Sequence, residues 1–380
     1  MADEIAVLIV DDSALMRNLI GKMVETTPGL CVAEKAMNGV FALQKIPRVN
    51  PDIICLDLEM PEMNGIEFLK ERKKQGIDIP VVILSSIAEK GAGITIEALS
   101  LGACDFVTKP SGSISTDIHT VADQLTHLLI AYGGRYRRAR GKTVPAPQPE
   151  TPEKAENKKP LFSTTFGLWS SAPSEPAPPP QVLRKPGEME LITIGISTGG
   201  PDALRVVFSN LDPALKQPIV VVQHMPAGFT LEFAKSLDRI CPLSVKEAEE
   251  GEAIKSGWAY IARGNKHVEV EKKAAGSILH LSDAPPVNGH RPSADVLFAS
   301  AAMGFTNHVL GVIMTGMGRD GAQQLGTIYK EGGLTLGQDE KTAIVYGMPR
   351  VAYELGHVME QVPLEKMGQR ISQVAKEGHL

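Results

Sequence analysis

Two groups of residues in this chain could do chemistry, and they do not overlap. In the first, Asp11 and Asp12 close the run "VLIVDD", Asp57 closes "DIICLD", Ser85 follows "PVVIL" and Lys109 follows "CDFVT". Crowded carboxylates repel unless a cation sits among them, and oxygen ligands of this kind suit Mg²⁺. An aspartate beside that ion, with Ser85 and Lys109 to receive phosphoryl oxygens, can accept a phosphoryl group. In the second group, Ser197 follows "LITIGI", His224 follows "PIVVVQ", and Asp320 lies in "TGMGRDG" just beyond "HVLGVIM". A hydroxyl to attack, an imidazole to take its proton and a carboxylate to fix the imidazole are the set that nucleophilic hydrolysis needs. Taken singly, each residue has a plainer reading as a cap, a packing histidine or a turn former. Their recurrence at the ends of apolar runs favours chemistry.

The turn "LITIGISTGGPDAL" is ambiguous by itself, because free N–H groups in a glycine turn opening a helix suit an oxyanion and a phosphate alike. Gly195, Ser197 and Gly199 satisfy G-x-S-x-G, a strand-to-helix turn that projects its serine, and Pro201 suits the first turn of the helix that follows. The N–H groups around Thr198 and Gly199 then face a developing oxyanion. A dinucleotide-binding turn would need full G-x-G-x-x-G spacing and an acid ending the next strand, and neither is present. The order Ser, His, Asp differs from that of the α/β-hydrolases, which predicts a convergent triad on another fold.

These residues need parallel sheets to bring them together. From Ile5 to about Tyr132 five apolar runs alternate with amphipathic stretches, which predicts a doubly wound parallel sheet with its site at the carboxyl ends of the strands. Residues 133–188 are rich in Pro, Ala, Lys and Glu and read as an extended linker; Phe162, Phe166, Leu168 and Trp169 interrupt it as candidate docking residues. From Met189 the alternation resumes, with "GWAYIA", "HVEVEKK" and "GSILHLS" read as an antiparallel insert. The fold class is therefore α/β, with two doubly wound parallel-sheet domains over 1–132 and 189–380 joined by a Pro-rich linker.

The whole-chain numbers exclude several classes. A length of 380 residues exceeds one ordinary core, and a net charge of −5 with no basic recognition helix argues against nucleic-acid binding. No apolar run approaches a membrane span and the N-terminal segment is acidic, so no membrane insertion and a cytoplasmic location are expected. The four cysteines, Cys31, Cys55, Cys104 and Cys241, are widely spaced in apolar segments, as buried thiols and not metal ligands would be.

"VLIVDDS", "DIICLDLEMPEMNG", "VVILSS" and "DFVTKP" resemble the response-regulator receiver domain. The resemblance implies phosphorylation at Asp57 by a phosphohistidine of a sensor kinase, with Asp11, Asp12 and Asp57 holding Mg²⁺ and Ser85, Phe106 and Lys109 transmitting the state. "IGISTGGPDAL", "VVQHMPAGFT", "PPVNGHRPSADVLF", "GVIMTGMGRDGA" and "YGMPR" resemble the chemotaxis protein-glutamate methylesterases. That resemblance implies a flavodoxin-like receiver followed by an α/β methylesterase domain. It implies a triad of Ser197, His224 and Asp320 with Thr198, Gly199 and Met317 beside it, and no cofactor for hydrolysis. The implied substrate is a glutamyl methyl ester on the cytoplasmic helices of chemoreceptors, acted on by a monomer, with glutamine deamidation as a companion activity. His290 and Arg291, in "NGHRPSAD", are candidates for engaging the acidic receptor surface, and helix capping or ion pairing accounts for them equally well.

Overall fold

The computed structural model describes residues 4–85, 89–109, 117–143, 176–274 and 276–380. The N-terminal domain runs β1 (Ile5–Val10), α1 (Ala14–Thr26), β2 (Leu30–Ala36), α2 (Gly39–Val49), β3 (Ile53–Asp57), α3 (Gly65–Lys74), β4 (Val81–Ser85), α4 (Glu89–Ser100), β5 (Asp105–Thr108) and α5 (Asp117–Ala139). Its strands pair in parallel in the order β2-β1-β3-β4-β5. β3 and β4 are buried at every position, which is why they read as unbroken apolar runs, while the edge strand β2 carries half-exposed Glu34 and Lys35. Side chains start the helices: Asn38 caps α2 through Phe41 N–H, and Asn64 with Glu67 forms a capping box on α3.

The C-terminal domain runs β6 (Leu191–Ile196), α6 (Gly200–Ser209), β7 (Ile219–Gln223), α7 (Phe229–Asp238), β8 (Ser244–Glu247), β9 (Trp258–Ile261), β10 (His267–Lys273), β11 (Gly276–Ser282), α8 (Ala294–Phe305), β12 (Val309–Ile313), α9 (Ala322–Glu331), β13 (Leu334–Gln338), α10 (Met348–Glu354), β14 (Glu360–Val362) and α11 (Leu364–Glu377). Seven strands form a wholly parallel sheet in the order β14-β13-β12-β6-β7-β9-β8. The chain leaves the central β6 toward β7 on one side and later returns to β12 on the other. A crevice therefore opens at the carboxyl ends of β6, β7 and β12, the place where doubly wound sheets hold their ligands.

β10 and β11 form the expected antiparallel hairpin as a separate sheet. The segment "GWAYIA" departs from the antiparallel reading: β9 joins the main sheet, parallel to both β7 and β8. Ala259, Tyr260 and Ile261 are fully buried, the environment of an internal parallel strand rather than of a half-solvated one.

Residues 176–190 lie along the C-terminal domain, where Ala177, Leu183 and Gly187 N–H groups donate to the carbonyls of Glu354, Lys330 and Asn307. Phe162, Phe166, Leu168 and Trp169 lie outside the described residues. The two domains share one hydrophobic cluster, with α4 packed on α7 and the Phe106 ring stacked on Phe229 at 4.9 Å and 7°. All four cysteines are free, Cys55 buried and the other three half-buried. Among the described residues no helix is long and apolar enough to cross a membrane.

Candidate active site

Ser197 sits one residue past β6, on a turn braced from both neighbouring strands. Its N–H donates to Thr315 O beyond β12 at 2.9 Å, and Gln223 Nε2 at the end of β7 donates to its carbonyl at 3.0 Å. Gly199 follows at φ +79°, a left-handed conformation that glycine adopts without strain, and it caps α6 with Pro201 in the first turn. Across the crevice, a Cβ on Gly316 would come within 2.8 Å of Ser197 Cβ, so the second glycine turn lets the β12 loop approach Ser197.

His224, one residue past β7, pairs through Nε2 with Asp320 Oδ2 at 2.9 Å. Its Nδ1 is buried with no partner among the described residues, and His224, Ser197 and Thr198 line one cavity together. Nε2–H donating to Asp320 leaves Nδ1 as the lone pair available to a hydroxyl, so the ring is set as a base. His290 lies flat on it, ring centroids 3.8 Å apart at 11°, and burial followed by the charge of His224 lowers the His290 imidazole to about 4. A neutral ring is therefore stacked on His224.

Asp320 is held by the start of α8. Ser293 Oγ donates to it at 2.6 Å, Asn288 Nδ2 at 3.0 Å, and the N–H groups of Ala294 and Asp295 at 2.6 and 3.4 Å. Burial works to raise this carboxyl. The hydrogen bond to and charge of His224, with the bonds from Ser293 and Asn288, outweigh it and hold the group well below the usual carboxylate range. Asn288, His290 and Ser293 were not assigned these roles from sequence; the signal was there in "NGHRPSAD", a polar run feeding a helix N-terminus, which is an anion site. Arg291 instead ties loops together, bonding Asn265 Oδ1 and the carbonyls of Asp283 and Ala284. Met317 is half-buried on the loop carrying Asp320 and does not line the cavity.

The cavity at Ser197 measures about 80 Å³, far below the roughly 300 Å³ at which ligand pockets begin. Asp105, Phe106, Thr108 and Gln124 of the N-terminal domain form its other wall. The crevice is covered by the domain that carries the acid pocket.

In that pocket the carboxylate oxygens of Asp11, Asp12 and Asp57 lie within 4.8 Å of one another, the first and last buried and Asp12 exposed. Lys109 Nζ bridges Asp11 at 3.0 Å and Asp57 at 2.8 Å. Burial raises the Asp57 carboxyl despite Lys109; burial lowers Lys109, but Asp57 and Asp11 more than offset it and leave the ammonium raised. Ser85 Oγ meets Thr95 Oγ1 at 2.5 Å. An oxygen-only donor set with one open side fits a hard divalent cation.

The chain matches the CheB methylesterase family over residues 192–371 and the response regulator receiver domain over residues 7–119. It is 56% identical over 380 residues, 99% of each chain, to a protein-glutamate methylesterase/protein-glutamine glutaminase of Treponema denticola. It is 50% identical over 394 residues, 98% of each chain, to the protein of the same name from Treponema pallidum. The crystal structure of the Thermotoga maritima CheB methylesterase catalytic domain is 36% identical, with 49% of this chain and 98% of that one covered and a TM-score of 0.48.

Proposed function

The chain belongs to the protein-glutamate methylesterase/protein-glutamine glutaminase family, and we propose that Ser197, His224 and Asp320 hydrolyse glutamate methyl esters on the cytoplasmic helices of chemoreceptors. Ser197 Oγ attacks the ester carbonyl while His224 Nδ1 takes its proton. The tetrahedral intermediate collapses, the C–O bond to methoxide breaks, and His224 returns the proton so that methanol leaves. Water, deprotonated by His224, then cleaves the glutamyl-serine ester to glutamate and free Ser197. An amide in the ester's place releases ammonia by the same steps, which is the deamidation of receptor glutamines. The observation that carries this reading is the His224 ring, bonded to Asp320 on one nitrogen, buried on the other with no partner among the described residues, and lining one cavity with Ser197.

Methanol release from methylated receptor membranes tests it. Ser197→Ala should lower the rate by roughly 10⁴-fold or more, as loss of a triad nucleophile does; a rate close to wild type removes Ser197 from its role.

Regulation comes through the other domain. Asp11, Asp12 and Asp57 would hold Mg²⁺, whose charge when bound neutralises the incoming phosphoryl oxygens. Asp57 takes the phosphoryl group from a sensor kinase's phosphohistidine, Lys109 and Ser85 receive its oxygens, and Phe106 couples the change to Phe229. Phosphorylation favours a state in which the crevice is uncovered. The setting is the cytoplasm, where receptor helices and kinase meet the chain as a monomer with domains 1–132 and 189–380.

A further inference from the structure

One hydrogen bond crosses from the N-terminal domain into the nucleophile turn. Gly199 N–H donates to Asp105 Oδ2 at 2.7 Å, in a buried setting. As the cap of α6, Gly199 offers one of the donors that a helix leaves without an intrahelical partner at its positive end. Two of the neighbouring donors bond within the turn and to the next strand end: Ser197 N–H to Thr315 O at 2.9 Å and Gly200 N–H to Ser197 O at 2.8 Å. What Gly199 N–H holds, in the cavity that Ser197 and His224 line, is a carboxyl oxygen, and a carboxyl group is what ester hydrolysis leaves behind.

Asp105 is an uncomfortable carboxylate. Its other bond is from the N–H of Phe106 at 2.8 Å, and among the described residues no cationic side chain is paired with it. Burial pushes its carboxyl up to about 7 against those two N–H groups, with Asp202 adding to the rise. Burial therefore favours the neutral acid here, whose Oδ2 remains an acceptor for Gly199 N–H.

We propose that Gly199 N–H is a donor that receives the ester carbonyl oxygen as it becomes an oxyanion, and that Asp105 occupies it in the closed chain as an internal analogue of the product carboxyl group. This rests on Ser197 being the nucleophile. Covering of the crevice then includes competition for this donor as well as steric exclusion. Asp105 opens β5, and the same strand leads directly to Lys109 in the acid pocket, so one short element touches both sites.

The test uses the full chain labelled with ¹⁵N-glycine, with methanol release measured in the absence of any phosphodonor. Asp105→Ala should raise basal release by roughly three- to tenfold, the scale of a lost hydrogen bond, and should move the Gly199 amide resonance upfield. N-acetylglutamate, added to that variant, should return the resonance downfield and inhibit hydrolysis competitively. Asp105→Asn, which keeps an acceptor oxygen in a neutral side chain, should stay close to wild type and well below Asp105→Ala. An unchanged basal rate in both folded variants overturns the proposal. So does a raised rate with a Gly199 resonance that ignores N-acetylglutamate, because that is interface loosening alone. Activity persisting in Ser197→Ala would overturn the nucleophile assignment instead, and the Gly199 resonance decides the donor separately.

Discussion

Asp57 and Asp320 occupy comparable places in their domains, at or just beyond the carboxyl end of a parallel strand, and their surroundings treat them in opposite ways. Asp320 accepts from His224, Ser293, Asn288 and two N–H groups of α8, and its carboxyl is held far down. Asp57 stands among other carboxylates with Lys109 as its cation and Glu59 N–H at 3.3 Å, and its carboxyl is pushed up. A carboxylate whose lone pairs are filled can orient and stabilise a neighbour but is poorly placed to form a bond. One that is crowded by like charge and open on one side gains from a cation and from covalent capture of an electrophile. With the roles proposed for them, the same fold principle serves two chemistries, and the hydrogen-bond count around the acid separates them.

Removing the charge from each acid breaks the comparison most directly. Asp320→Asn should lower kcat for methanol release by about 10⁴-fold, because the amide cannot stabilise the imidazolium and selects the wrong tautomer. A loss of less than about tenfold would mean that the α8 donors, not the charge, do the orienting. Asp57→Asn should leave the basal rate near wild type and abolish stimulation by an acyl phosphate, a coupling of roughly tenfold. Chelation with EDTA should remove the same stimulation from wild type while sparing basal hydrolysis. Stimulation that survives either treatment places the phosphoryl acceptor elsewhere.

Strand ends were legible in the sequence because strands buried on both faces read as continuous apolar runs, and the residue that ends each run is where a parallel sheet gathers its chemistry. That logic reached Asp11, Asp57 and Lys109 in one sheet and Ser197, His224 and Asp320 in the other. It failed for β9, whose four residues are too short to distinguish a buried parallel strand from half of a hairpin. It was also silent on Asp105 and His290, since their roles come from which surfaces meet: a strand of one domain against a turn of the other, and a loop ring over a strand-end ring. Local pattern carries no record of such meetings. A weak trace was present all the same, for a carboxylate at the start of a four-residue strand buried at Asp105, Phe106 and Val107 is an anomaly that asks for a partner.

Asp105 sharpens the contrast as a third acid, buried like Asp57 but facing the site of Asp320, and it gives the smallest predicted effect. Its carboxyl lies at about 7 in the closed chain, against about 3.9 for a free aspartate. The neutral acid therefore favours closure: that contribution is complete below about 4, is lost as pH climbs toward 7, and is constant above. The titratable groups facing Asp105 are Asp202 on α6, Tyr132 on α5, the adjoining Cys104 and, across the cavity, His224. His224 must be neutral to act as base, so a raw pH-rate profile mixes the two groups. The ratio of basal rates, Asp105→Asn over wild type, cancels His224 because both chains share it. That ratio should fall a few-fold between about pH 5 and pH 7, as ionisation opens wild type on its own, and then level off. A ratio that is flat across this range, or that rises, would show that the carboxyl at Asp105 carries no part of the closure.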